Sequence, residues 1–148
     1  MQCNIEIKSK VICGFTGVGK TFFSKSKDKV IDIDHSLFRN LKNPNKAYFD
    51  YVCSCNGSYE YILISTHSEI RDMLHKNNIQ YYLVYPEKCL KDEYKERFIS
   101  RGNSESYAKL IYDMWDEWIG DLNKDTRGIR RVLKSGEYLS DIIREFEK

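Results

Sequence analysis

The sequence predicts an α/β domain in which helices cover both faces of a parallel β-sheet. Short apolar runs typical of buried strands alternate with segments of helical periodicity along the chain. A glycine-rich turn joins the first apolar run to the first helical segment. The 148 residues, of which 41% are hydrophobic and 31% charged, suit one globular domain spanning residues 1–148.

Five short apolar runs are predicted to be the strands of this sheet. Runs of this length and composition suit strands that are buried on both faces. Upstream of the first run, Cys3, Ile5 and Ile7 alternate with polar residues, which is also typical of a strand. That segment extends the first strand or forms a separate edge strand. The five runs cover residues 10–14, 29–34, 59–65, 79–85 and 128–133.

The segments between these runs carry the spacing of amphipathic helices. Asn43 and Pro44 form a helix start signal, and Thr66 with Glu69 matches the capping-box pattern before a later helix. The clearest apolar stripe contains Trp115 and Trp118, which we expect to lie in the core. The helical segments are centred on residues 48–55, 70–74, 90–98, 107–119 and 139–146.

Residues 14–21, with the sequence GFTGVGKT, match the whole phosphate-loop pattern G-x-x-x-x-G-K-[ST]. Glycines let the backbone wrap a phosphate with its N–H groups, and the following helix adds its positive N-terminal end. Lys20 is predicted to be catalytic by bridging the β- and γ-phosphates, and the Thr21 hydroxyl to bind Mg²⁺. The predicted nucleotide-binding residues are Gly14, Gly17, Val18, Gly19, Lys20, Thr21 and Phe22.

Small-molecule kinases, GTPases and work-coupled ATPases all use such a loop. GTPases recognise guanine with N-K-x-D, but Thr126 occupies the last position of the nearest match, residues 123–126. A D-x-x-G match at residues 125–128 overlaps it, so both matches are interpreted as coincidence. Motor-type ATPases usually need a longer chain. These comparisons favour a kinase.

Two acidic residues end the second apolar run. Asp32 and Asp34, one residue apart, are expected to point to the same side near the phosphate loop. Asp32 is predicted to reach Mg²⁺ through water. Asp34 is predicted to be catalytic and to contact the acceptor by accepting its hydrogens. The alternative is that Asp34 or Ser36 caps the next helix.

Arg97 and Arg101 are predicted to be catalytic lid residues. Four residues apart, they lie on one helix face, and lid arginines neutralise the charge of a transferring phosphoryl group. Gly102 is a candidate hinge or helix stop. As surface arginines, both are expected to contribute little to stability. The alternative is a solvated charged face.

The acceptor-binding residues are predicted to include Arg39, His67 and Arg71. The two arginines would bind an acceptor phosphate, although each alone is more often a surface residue. His67 contacts the substrate or caps a helix. The basic cluster at residues 124–134 suits a nucleic-acid patch or the edge of the last strand, and we favour the strand edge.

The phosphate loop, VIDID, ILISTHSEIR, YYLVYPEKCLKDEYKERF and the Trp115–Trp118 helix together resemble small nucleoside monophosphate kinase-like proteins of bacteriophages. These are relatives of the adenylate kinase and shikimate kinase group. The resemblance covers nearly the whole chain. It implies a three-layer P-loop NTPase fold, a five-stranded parallel sheet in order 2-3-1-4-5, and ATP as donor. It also implies an acceptor region at about 35–58 and a lid at about 87–106.

By that likeness, Asp32 and Asp34 resemble the D-x-D pair of shikimate-type kinases. The sequence departs from the family after the third strand, where Ser65-Thr66-His67 replaces an Asp-Gly or glycine-rich turn. This departure leaves the identity of the acceptor open.

These observations together predict an ATP- and Mg²⁺-dependent phosphotransferase whose first candidate acceptor is a (deoxy)nucleoside monophosphate. The alternatives are a kinase of another small hydroxyl metabolite and a nucleotide-binding switch or interaction protein without kinase activity.

The formal charge of +2 gives no global case for nucleic-acid or membrane-surface binding. No run approaches the roughly 20 apolar residues of a membrane span, and the first residues lack a signal peptide's apolar stretch. We therefore expect a cytoplasmic monomer or homodimer, in the host cytoplasm if the chain is viral.

Overall fold

The sheet has five parallel strands in the order β2-β3-β1-β4-β5. The computed structural model describes residues 8–147, so the alternation at Cys3, Ile5 and Ile7 lies outside the described residues. The predicted α/β class and strand order are confirmed, and each of the five predicted runs coincides with one strand, although β4 continues one residue beyond its predicted run. The strands are β1 (Lys10–Gly14), β2 (Val30–Asp32), β3 (Tyr61–Ile64), β4 (Tyr81–Pro86) and β5 (Ile129–Leu133).

Helical segments separate the strands, as the periodicity predicted. The α-helices are α1 (Lys20–Ser26), α2 (Pro44–Cys55), α3 (Ser68–Lys76), α4 (Lys91–Ser100), α5 (Glu105–Asn123) and α6 (Leu139–Ile142). Short 3₁₀ helices cover His35–Phe38, Lys88–Leu90 and Ile143–Phe146. None of the helices within residues 8–147 is long and apolar enough to cross a membrane.

The start of α2 is confirmed and the start of α3 is corrected. Pro44 occupies the first turn of α2 after Asn43, as the start signal predicted. The capping box of Thr66 and Glu69 is wrong, because α3 has His67 at its N-cap and no side-chain cap there. The carbonyl of Thr66 instead accepts a hydrogen bond from Arg71 Nε at 2.9 Å.

Both faces of the sheet are covered. All four side chains of β3 are buried although successive side chains point to opposite faces. On one face Phe23 of α1 packs against Tyr61, with ring centroids 5.6 Å apart. On the other face the hydroxyl of Tyr81 contacts Asp125, just after α5, at 2.6 Å. Trp115 is buried in the core, as expected, whereas Trp118 is only partly buried and packs against the core.

The carboxyl end of β1 lies at a switch in the strand order of the sheet. Because the strands are parallel, their carboxyl ends lie along the same edge. The chain leaves β1 between β3 and β4, which belong to opposite halves of the sheet. Such a switch in strand order opens a crevice beyond the strand ends.

A buried ion-pair cluster joins α3 to the segment after α5. The Arg71 guanidinium donates to Asp125 Oδ2 at 2.8 Å and to Asp121 Oδ2 at 2.6 Å. Its side chain is 4% exposed, and that of Asp125 is 0% exposed. Because Arg71 also holds the Thr66 carbonyl, the cluster positions the turn between β3 and α3.

Asp125 is ionised inside this cluster. Burial alone would raise its pKa, but hydrogen bonds from Tyr81, the Gly128 backbone, Arg71 and the Arg127 backbone outweigh burial and hold the pKa below its ordinary value. Asp125, which belongs to both GTPase-like matches, therefore has a structural partner for each of its oxygens.

We expect Asp125→Asn to lower the free energy of unfolding at pH 7 by about 3 kcal/mol, because it removes the buried countercharge of Arg71 and leaves only the exposed carboxylate of Asp121. Urea unfolding measures this change. Because the pKa of Asp125 is lowered in the folded protein, its negative charge stabilises the fold at any pH above the ordinary carboxyl pKa of about 3.9. The difference in the free energy of unfolding between Asp125→Asn and wild type should therefore narrow as the pH falls below that value.

The matched control is Asp113→Asn, which removes an exposed ion pair with Lys109. Exposed pairs contribute little, so the control should unfold nearly as wild type does. Equal destabilisation by the two substitutions would contradict a special role for the buried cluster.

Candidate functional site

A cleft of about 1460 Å³ lies beyond the carboxyl ends of β1, β2 and β3. Small-molecule pockets usually enclose about 300–1,000 Å³, so this cleft has room for two small ligands side by side. The glycine loop, residues 14–21, forms its floor. Of the residues predicted to bind nucleotide, those that line the cleft are Gly17, Gly19, Lys20, Thr21 and Phe22.

The other predicted site residues fall into two groups, those that line the cleft and those that do not. Gly14 and Val18 do not line the cleft: Gly14 ends β1, and Val18 is buried in the core. Arg71 does not line it either, because its guanidinium is held in the buried ion-pair cluster. The predicted residues outside the nucleotide-binding set that do line the cleft are Asp32, Asp34, Arg39, His67, Arg97 and Arg101.

The glycine loop takes a backbone conformation that only glycine adopts without strain. Gly17 and Gly19 have φ angles of 88° and 95°. A Cβ on Gly17 would lie 3.0 Å from the rings of Tyr94 and Phe98, and one on Gly19 would lie 3.2 Å from Tyr138. Glycine is therefore required both for the turn and for the close packing of the surrounding aromatic rings.

Lys20, Thr21 and Asp32 meet at the end of β1. Lys20 Nζ donates to the Gly14 carbonyl at 2.6 Å. Burial lowers the pKa of Lys20, which Asp32 partly offsets. Thr21 Oγ1 donates to Asp32 Oδ2 at 3.1 Å, so the two residues predicted to bind a metal do lie together.

The carboxylate of Asp34 caps the 3₁₀ helix His35–Phe38. Its Oδ1 accepts from the Ser36 backbone N–H at 2.9 Å, which is the capping role considered from the sequence. The same side chain is exposed and lines the cleft. Capping engages one carboxylate oxygen and therefore does not exclude a role for the other.

A stacked histidine pair, which the sequence did not predict, forms part of the cleft wall. The rings of His35 and His67 lie 4.1 Å apart at an interplanar angle of 19°. His35 Nε2 lies 2.7 Å from Asn45 Oδ1, and His67 Nδ1 lies 2.7 Å from Ser65 Oγ. No local spacing connects the two histidines, because they come from loops after different strands.

Arg97 is fixed against the glycine loop. Its guanidinium donates to the Gly17 carbonyl at 3.0 Å and to the Glu137 carbonyl at 3.1 Å. It lies 4.2 Å from the ring centroid of Tyr94 and 3.9 Å from that of Tyr138. The expectation that Arg97 is a surface arginine is wrong, since its side chain is only 10% exposed.

The predicted lid segment, 87–106, contains a packed helix with a defined end. Gly102 has a φ of 88°, and its N–H donates to the Ile99 carbonyl at 3.1 Å. The Asn103 N–H donates to the Phe98 carbonyl at 3.0 Å, which completes a Schellman motif. Gly102 is thus a helix stop, one of its two predicted roles. Arg101, at the same end of α4, is exposed.

Glu93 lines the cleft and binds the loop between β5 and α6. It accepts hydrogen bonds from Ser135 Oγ and, at 3.1 Å, from the Gly136 N–H, and it pairs with Arg97 at 3.2 Å. Glu93 and Tyr138 were missed from the sequence. The four-residue spacing of Glu93 and Arg97 was a usable signal, whereas no local pattern marked Tyr138.

The arginines of the basic cluster contact this protein's own groups. Arg131 pairs with Glu137 and Glu145, at 3.3 and 2.9 Å. Arg127 pairs with Asp72 at 2.8 Å. These contacts fit the strand-edge interpretation of the cluster.

A comparison of the chain with protein-family models finds no match, and a comparison with curated proteins finds no similar sequence. The interpretation of the cleft therefore depends on its own residues.

We expect Arg97→Ala to lower the free energy of unfolding by about 2 kcal/mol, because it removes charge-assisted hydrogen bonds that join three segments. Arg97→Lys should recover only part of this loss, since an ammonium cannot reach two carbonyls with a planar fork. Arg101→Ala is the matched control on the same helix face and should change stability by less than about 1 kcal/mol.

Thermal and urea unfolding of the three variants provide the measurement. If Arg97→Ala is as stable as Arg101→Ala, Arg97 does not hold the glycine loop.

Proposed function

We propose that this chain is an ATP-dependent phosphotransferase with a P-loop NTPase fold that moves the γ-phosphoryl group of ATP to a small acceptor. The observation that carries the proposal is the convergence of Lys20, Thr21 and Asp32 at the glycine loop, in one cleft with Asp34. The cleft also has the volume for a donor and an acceptor together.

Lys20 would bind the β- and γ-phosphates. In the described structure its ammonium contacts the Gly14 carbonyl, a weaker partner than a phosphate oxygen. Glycine loops of this sequence wrap phosphates with backbone N–H groups, and Gly17 and Gly19 have the backbone angles that such a turn needs.

Thr21 and Asp32 would hold Mg²⁺. Their side chains supply oxygen atoms, which Mg²⁺ prefers, and Mg²⁺ usually takes its other ligands from water and substrate phosphates. Among residues 8–147, no group of three or more His, Cys, Asp or Glu side chains is arranged to hold a metal ion without such help. When bound with ATP, Mg²⁺ neutralises charge on the β- and γ-phosphates.

Arg97 in α4 and Arg101 at its C-terminal end have different proposed roles. Arg101 is exposed on the cleft and would move onto the transferring group, where its charge stabilises the transition state. Arg97 would act by holding the Gly17 carbonyl and thereby the shape of the phosphate site. Asp34 faces the acceptor side and would accept a proton from a hydroxyl acceptor.

A nucleoside monophosphate and a small hydroxyl compound are both proposed acceptor classes. The first was expected to use Arg39 and Arg71. Arg71 is held by Asp121 and Asp125, so of these two arginines only Arg39 lines the cleft.

We expect Lys20→Ala to lower ATP-dependent transfer by about 10²-fold or more, because positioning and charge neutralisation carry this chemistry. Release of ADP in a coupled assay measures it. Lys25→Ala, an exposed position on the same helix, is the matched control and should keep wild-type turnover. Turnover of Lys20→Ala within a few-fold of the control would contradict the assignment of this loop.

Asp34→Asn should lower kcat far more than it lowers ATP affinity, because asparagine loses the negative charge and the basicity of the carboxylate. It keeps an oxygen that can accept the Ser36 N–H, so the melting temperature should change little. Steady-state kinetics and a thermal melt distinguish the roles: lost stability with an unchanged rate would mean that Asp34 only caps the 3₁₀ helix.

A further inference from the structure

The acceptor end of the cleft, defined as the part lined by Asp34, His35, Ser36, Arg39, Ser65 and His67, carries one arginine and one carboxylate. Arg39 and the Asp34 carboxylate line it and balance one another, and the predicted second arginine, Arg71, is buried in its own ion pairs. Lys20 belongs to the phosphate site of the donor. A phosphate monoester dianion needs several charge-assisted donors, and it would have to approach the Asp34 carboxylate.

His67 does not supply the missing positive charge. Burial lowers the pKa of His67, and the neighbouring His35 and Lys20 lower it further. On α3, Glu69 raises the pKa of His67 and Arg71 lowers it. With its pKa lowered below the ordinary value, His67 presents an uncharged imidazole at neutral pH, and two rings stacked 4.1 Å apart resist being protonated together.

The hydrogen bonds of the pair leave ring nitrogens available. Asn45 donates its amide N–H to Glu69, so its oxygen faces His35 and accepts from His35 Nε2–H. In the tautomer that donates from Nε2, His35 has an accepting Nδ1. His67 uses Nδ1 toward Ser65, which leaves Nε2. Uncharged imidazole nitrogens and the nearby serine hydroxyl are suitable partners for alcohol groups.

We propose that the acceptor is an uncharged hydroxyl compound, such as a sugar or nucleoside, that is bound by the His35–His67 pair beside Asp34. This proposal depends on the phosphotransferase function proposed above. The acceptor oxygen forms a bond to the γ-phosphorus, and the bond from that phosphorus to the β–γ bridging oxygen breaks. The hydroxyl proton passes to the Asp34 carboxylate and then to water, and the products are a phosphate monoester and ADP.

The first experiment separates acceptors by charge. A bacterial small-molecule extract is divided into a neutral fraction, retained by neither anion- nor cation-exchange resin, and an anionic fraction. Each fraction is incubated with the full-length protein, Mg²⁺ and ATP labelled at the γ-phosphorus. We expect a labelled, phosphatase-sensitive product other than inorganic phosphate from the neutral fraction.

If a labelled product forms only in the incubation with the anionic fraction, the proposed neutral acceptor is wrong, but the proposed phosphotransferase function stands. No labelled product from either fraction, while ATP still binds in a Lys20-dependent manner, would also overturn the neutral acceptor. If ATP binding is absent as well, the proposed function itself fails. Phosphatase treatment of the anionic fraction beforehand should turn inactive monoesters into active hydroxyl compounds.

The second experiment tests the histidine pair with the neutral fraction as acceptor. His67→Ala should raise the KM for the acceptor about 10-fold and leave the KM for ATP unchanged, because one hydrogen-bonding partner is lost. His75→Ala, an exposed histidine on α3 outside the cleft, is the matched control and should change neither value.

In the wild type, the acceptor KM should rise as the pH falls below the ordinary histidine pKa, because His67 becomes charged in that range. His67→Asn should lose most of this dependence of the acceptor KM on pH. An equal rise in both KM values, or the same pH profile in His67→Asn, would show that His67 has only a structural role and would overturn its part in acceptor binding.

Discussion

The contact between Arg97 and the Gly17 carbonyl is the interaction on which the cleft depends. Gly17 can take its positive φ because it has no Cβ, but that freedom alone would leave the loop loose. Arg97 fixes the loop by joining it to the Glu137 carbonyl, while Tyr94 and Tyr138 sandwich the guanidinium. A single side chain thus connects the glycine loop, α4 and the segment before α6.

A second buried arginine organises the opposite side of the cleft. Arg71 binds the Thr66 carbonyl from within an ion-pair cluster, so the turn that carries Ser65 and His67 is anchored to Asp125 and α5. The buried cluster therefore anchors the turn that places His67 in the stacked pair. In the proposed function, the glycine-loop backbone and Lys20 bind phosphate at one end of the cleft, and the stacked histidines with Asp34 bind the acceptor at the other.

The sequence predicted what local patterns encode. Apolar runs located the strands, and the glycine pattern located a loop whose Lys20, Thr21 and Asp32 do converge. It did not predict contacts between distant segments. The residues around Arg71 give no sign that it forms a buried ion pair with Asp125, and those around His35 give no sign that it stacks on His67. Tertiary packing alone brings these pairs together.

The most direct test of the phosphate site is a crystal structure of the protein with Mg²⁺ and a non-hydrolysable ATP analogue. The proposal predicts the β- and γ-phosphates on the glycine loop, Lys20 Nζ moved from the Gly14 carbonyl to phosphate oxygens, and Mg²⁺ beside Thr21 and Asp32. A nucleotide bound elsewhere, or Lys20 still on Gly14 with the analogue at saturating concentration, would contradict it.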